Sequence, residues 1–133
     1  MSRVAVDTNV LVHLYDDAGS GKLRRTEEIV AGRPTISPQV VSEYLNVTRR
    51  LLALPKAQVL ARCNQVFLSC EIAPVTHGTL GLAARLLARY DFQLFDAIIV
   101  AAALEADCDV LYSADFQHNQ LIEGHLRVIN PFR

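Results

Sequence analysis

The spacing of apolar residues changes repeatedly along the chain, and each change marks an element. Residues 3–7 alternate toward an apolar strand, after which Thr8, Asn9 and the run from Val10 to Leu14 open a helix, with the boundary at Asp7. A loop through Asp16 and Gly19-Ser20-Gly21 precedes a polar helix over 22–31, stopped by Gly32 and Pro34. Thr35 and Ile36 form a short strand. Ser37 followed by Pro38 reads as an N-cap with proline at the first helical position, where its missing N–H costs little. The helix that follows reaches Leu52, and its apolar residues Val40, Val41, Tyr44, Leu45, Val47, Leu51 and Leu52 recur at helical spacing as one buried stripe with Glu43 beside it. Pro55 opens another helix to about Leu68, residues 71–75 form a strand, and Thr76 caps a helix reaching Tyr90. Residues 95–106 are apolar on nearly every side, which suits a helix buried between a sheet and other helices, with Asp96 in its first turn. Strands over 109–112 and 127–130 complete the series.

Alternating strands and helices predict an α/β sandwich with a mainly parallel sheet. In such folds ligands bind beyond the carboxyl ends of the strands, and Asp7 and Asp115 both fall where strands end. The 133 residues, 51% of them hydrophobic, supply one core and predict a single domain over 1–133. No apolar stretch approaches the length of a membrane span and no leader pattern precedes the first strand, so a cytoplasmic protein without membrane contact is expected. Cys63, Cys70 and Cys108 are odd in number and lack CxxC spacing, which predicts buried free thiols and no disulfide framework or zinc knuckle.

Four acids, Asp7, Glu43, Asp96 and Asp115, lie next to strongly apolar sequence instead of on a solvated face. Each alone has an ordinary structural role: Asp7 and Asp96 as helix caps or dipole partners, Asp115 as a loop residue, Glu43 as the flank of a buried stripe. Gathered at one place they would repel one another unless a cation were present. A carboxylate cluster without nearby His or Cys suits magnesium or manganese better than zinc. His13, His77, His118 and His125 are scattered and read as surface or loop residues; there is no HExxH pair, GxSxG elbow or phosphate loop. The net charge of −1 does not advertise a nucleic-acid partner, but setting the four acids aside leaves 13 basic against 10 acidic residues, a balance of +3. Arg24-Arg25 and Arg49-Arg50 are the only paired basic steps, and they are the candidates for gripping a nucleic-acid backbone at the edge of an acidic groove.

The segments Val6-Asp7-Thr8-Asn9-Val10-Leu11, Ser37-Pro38-Gln39 leading to Glu43, Phe95-Asp96-Ala97-Ile98-Ile99, and Leu111-Tyr112-Ser113-Ala114-Asp115-Phe116 resemble the PIN-domain nucleases in order and spacing. The ending Val128-Ile129-Asn130-Pro131-Phe132 is similar to that of VapC-type toxins of bacterial toxin–antitoxin pairs. The resemblance covers nearly the whole chain. It implies a three-layer α/β/α sandwich and a magnesium- or manganese-dependent endoribonuclease in which Asp7, Glu43, Asp96 and Asp115 are the catalytic and metal-binding acids. Glu43 or Asp96 would then orient the attacking water, and Thr8, Asn9 and Ser113 would position the acids through hydrogen bonds. It further implies RNA as substrate, a homodimer, and an antitoxin partner whose C-terminal segment fills the acidic groove. Two positions depart from the common pattern: Ala114 stands where another acid often precedes the aspartate, which bears on one metal or two, and Asn119 stands where glycine is frequent. A PIN nuclease of RNA processing with no antitoxin, or a catalytically silent binding module, are the competing readings.

Overall fold

The computed structural model describes residues 2–16 and 19–133. Six strands form one sheet: β1 (Val4–Val6), β2 (Thr35–Ile36), β3 (Glu71–Ile72), β4 (Val110–Tyr112), β5 (Leu121–Ile122) and β6 (Leu126–Ile129), in the order β3-β2-β1-β4-β6-β5. All neighbours are parallel except β5 and β6, which pair antiparallel. The helices are α1 (Thr8–Leu11), continued by a 3₁₀ turn over Val12–Tyr15, then α2 (Lys22–Ala31), α3 (Pro38–Leu51), α4 (Lys56–Phe67), α5 (His77–Arg89) and α6 (Leu94–Glu105). From β1 the chain steps outward to β2 and β3, then crosses back to β4 on the other side of β1. Because parallel crossovers are right-handed as a rule, connections that run in opposite directions along the sheet put helices on both faces, which gives the α/β/α sandwich. They also make the gap beyond the carboxyl ends of β1 and β4 a topological switch point, where open α/β sheets bind ligands.

The core follows from the apolar pattern. In α6 Ala97, Ile99, Val100, Ala101, Ala102 and Ala103 are buried, and α5 packs along the same helix. In α3 Val40 and Tyr44 are fully buried, and the Tyr44 ring lies between those of Tyr15 and Phe67. Ser37 accepts a hydrogen bond from the Val40 N–H, and Thr76 with Thr79 closes a reciprocal cap at the start of α5. All three cysteines are buried free thiols.

The structure corrects several expectations. Leu51 is exposed at the end of the α3 stripe, and Phe95, in the first turn of the apolar α6, is exposed where it lines a cleft. The third strand ends at Ile72, short of Val75. The β5–β6 pair was absent from the pattern; two residues are too few to show an alternation, and the turn rests on Glu123 and Gly124, both at positive φ. His13 lies in the 3₁₀ turn, where Asp16 lies 2.6 Å from its Nδ1 and its ring meets Phe132 edge to face. His118 lies in the loop between β4 and β5, as expected, and its Nδ1 accepts from the Asn130 N–H. Asn119 has a φ of 69°, the conformation expected where glycine is frequent.

Candidate active site

The switch point is where the chain places its carboxylates. Asp7 leaves β1 as the N-cap of α1, and its backbone N–H donates to the Tyr112 carbonyl of β4 at 2.9 Å, so the two strand ends are tied directly. Its side chain is 3% exposed and enclosed by donors. Thr8 N–H donates to Oδ1 at 2.7 Å, while Ser113 Oγ and Asn9 Nδ2 donate to Oδ2 at 2.8 and 3.3 Å. Ser113 Oγ in turn accepts from the Asp115 N–H, and Asn9 Oδ1 accepts from the Ala114 N–H. Thr8, Asn9 and Ser113 therefore link the loop after β4 to the helix after β1.

Glu43 arrives from α3, whose register the Ser37 cap sets. Thr8 Oγ1 donates to its Oε1 at 2.6 Å and Gln39 Nε2 to its Oε2 at 2.9 Å, which fixes both oxygens. Asp96 occupies the first turn of α6, three residues inside the Gln93 N-cap, and is a dipole partner instead of a cap. Asp7, Glu43, Asp96 and Asp115 line one cleft of about 420 Å³ together with Thr8, Asn9, Val12, Asn46, Val47, Gln93 and Phe95. Among the described residues, no Lys, Arg or His lines it.

The electrostatics follow from this company. Burial pushes the Asp7 carboxyl up to about 6; the Ser113 and Thr8 hydrogen bonds pull it down, and Asp96 and Glu43 push it further up. Asp96 is also raised, first by burial and then by the charges of Asp115 and Glu43. The acids thus sense one another. Among the described residues, no three His, Cys, Asp or Glu side chains stand in an arrangement that would hold an ion unaided. The donor set is oxygen only and open, which fits a hard cation that keeps several of its waters and does not fit a closed zinc cage.

The arginines divide. Arg24 is exposed on α2 near Glu28, and Arg25 is spent on the Tyr112 hydroxyl and ring and the Pro131 carbonyl. Neither lines the cleft. Arg49 donates to Asn46 Oδ1 at 2.9 Å; Asn46 lines the cleft, but Arg49 itself lines a separate groove between α3 and α4 with Ser42, Leu45 and Leu60, and Arg50 is exposed and lines neither. Sequence reasoning missed Gln39 as the second donor to Glu43, although the i to i+4 spacing on one helix was a readable signal. It also missed Asn46, Gln93 and Phe95, whose neutral side chains carry no such signal.

Residues 4–122 match the family described as PIN domain. The chain belongs to the PIN domain family. No curated protein shows significant sequence similarity to this PIN domain. Among solved structures it is similar to the toxin-antitoxin complex from Klebsiella pneumoniae, with a TM-score of 0.72, 21% identity and 98% of each chain covered. It is also similar to VapC20 from Mycobacterium tuberculosis, a Sarcin-Ricin loop cleaving toxin, with a TM-score of 0.62 and 19% identity over 84% of this chain and 89% of that one. A third is VapBC2 from Rickettsia felis bound to a DNA fragment from their promoter, with a TM-score of 0.62 and 15% identity over 83% and 86%. At these identities the likeness is one of fold.

Proposed function

We propose that this PIN domain is a metal-dependent endoribonuclease and the toxin of a toxin–antitoxin pair, with Asp7, Glu43, Asp96 and Asp115 holding magnesium or manganese. The observation that carries the reading is the single cleft lined by all four acids and, among the described residues, by no cationic side chain, in which Asp7 and Asp96 both titrate high. An arrangement that repels itself in the resting protein is relieved by a bound divalent cation. Asp7, Glu43, Asp96 and Asp115 would hold the cation, which when bound would supply water activation and offset charge on the phosphoryl oxygens of a scissile phosphodiester. The chain's own part is positional. Ser113, Asn9 and the Thr8 N–H hold the Asp7 oxygens, and Thr8 and Gln39 hold those of Glu43, so two acids from different elements keep fixed orientations. Glu43 or Asp96 would orient a water for in-line attack.

The toxin role draws support from neighbours that are toxins or toxin–antitoxin complexes. An antitoxin would block the cleft with a segment of complementary, basic charge, and two copies of the chain would form the functional dimer. No helix among the described residues is long and apolar enough to cross a membrane. The test is cleavage of single-stranded RNA by the purified protein in magnesium, in manganese and in excess chelator, with thermal melts alongside. Cleavage and a stabilisation of about 2.7 kcal/mol at a metal concentration a hundred times Kd are expected, both lost in chelator. Cleavage that survives chelation would contradict the metal dependence, and an absence of both effects would favour a silent binding module.

A further inference from the structure

Beside the acid cleft lies a second cavity of about 470 Å³, lined by Asp91, Phe92, Gln93, Phe116, Gln117 and Gln120 and sharing Asp96, Asp115 and Gln93 with the first. Its walls are two short segments, one entering α6 and one following β4. Phe92 and Phe116 meet edge to face at 5.3 Å and form its apolar part. Gln93, Gln117 and Gln120 bring three carboxamides to the lining of this one hollow, Gln93 and Gln117 exposed and Gln120 half-buried. Among the described residues no Lys or Arg lines it, so the hollow is a poor host for phosphate.

A neutral, planar group rich in donors and acceptors suits this chemistry, and the cavity's size lies within the range of small-molecule sites. Carboxamides pair with base edges, and single-stranded RNA is read through bases that have been splayed out of the stack. We propose that this cavity is a base-selecting subsite for the nucleotide next to the scissile phosphate, with Gln117 and Gln120 reading the base edge. This inference rests on the ribonuclease reading of the adjoining cleft. The carboxamide oxygens of Gln117 and Gln120 are acceptors and Asp91 adds another, so a base with an exocyclic amino group is favoured over uracil. Adenine, cytosine and guanine carry such a group; uracil does not.

The test compares the parent with Gln117→Ala/Gln120→Ala and with the single, exposed Gln117→Ala, on four short RNAs that differ only in the base beside the cut. The parent is expected to disfavour uridine there by about tenfold, the discrimination of one good amide–base pair. In the double variant the preference should fall to about twofold, chiefly through slower cutting of the adenosine, cytidine and guanosine substrates. A retained preference, or an equal slowing on all four RNAs, would overturn the proposal. Titration of adenosine, cytidine, guanosine and uridine into the metal-free protein, followed by the glutamine side-chain amide resonances, gives an answer that does not depend on cleavage. Adenosine should shift those resonances more than uridine. No shift with any nucleoside would overturn the subsite even if RNA is cut, whereas shifts in a protein that cuts nothing would instead count against the ribonuclease reading.

Discussion

Burial and hydrogen bonding act in opposite directions on Asp7, and burial prevails, so its carboxyl titrates near 6. Below about pH 4 it is protonated folded and unfolded alike. Between about pH 4 and 6 the folded chain retains a proton that the unfolded chain has lost, so stability contributed by this group falls as pH rises and is gone above its folded value. Asp7→Asn removes the cost of ionising in the folded state and keeps a good N-cap. The metal-free variant is expected to be more stable than the parent by about 1–3 kcal/mol at pH 7, with the difference vanishing near pH 4. Denaturant melts in chelator at both pH values measure it, and a gap independent of pH would contradict the burial account. At this scale Asp7, Glu43, Asp96 and Asp115 were legible because a charge next to apolar sequence demands an explanation. Gln39, Gln93 and Gln120 were not, because a neutral amide is at home on any helix end or loop.

Helix α3 carries site chemistry at both ends of its length. Its cap Ser37 and Gln39 set Glu43 in place, and its last turn carries Arg49, bonded to the cleft residue Asn46, and the exposed Arg50. If that turn lies on the RNA path, Arg49→Ala/Arg50→Ala in a cleavage-dead background should reduce the salt slope of log K by about 1.4, since each single-strand phosphate that an arginine neutralises adds roughly 0.7. Fluorescence anisotropy over a range of salt reads the slope, and no change would take both arginines off the path. The elements themselves were mostly legible, since α3, α5 and α6 have clear caps or long apolar runs. Where packing outside the element decides, the sequence was silent. Leu51 and Phe95 look like core and are exposed, and the two-residue β5 is defined by its pairing with β6.

Across the molecule as a whole, function comes from connectivity. The crossover from β3 back to β4 brings Asp7 and Ser113 together from positions 106 residues apart, and α3 and α6 then add Glu43 and Asp96 to the same opening. Alternation of strands and helices made the sandwich and the convergence of Asp7 with the loop of Asp115 legible in outline. The second cavity was not, because it depends on how two loops face each other across a switch point. If the convergent acids form one metal-dependent ribonuclease centre, no single charge can be removed from it without loss of activity. Asp96→Asn is the sharpest probe of that proposal, since the change keeps the shape and removes one charge from the shared cleft. Magnesium-dependent RNA cleavage is expected to be abolished in this variant, while its metal-free melting temperature equals or exceeds that of the parent. A variant that cuts RNA at the parental rate would refute the shared centre.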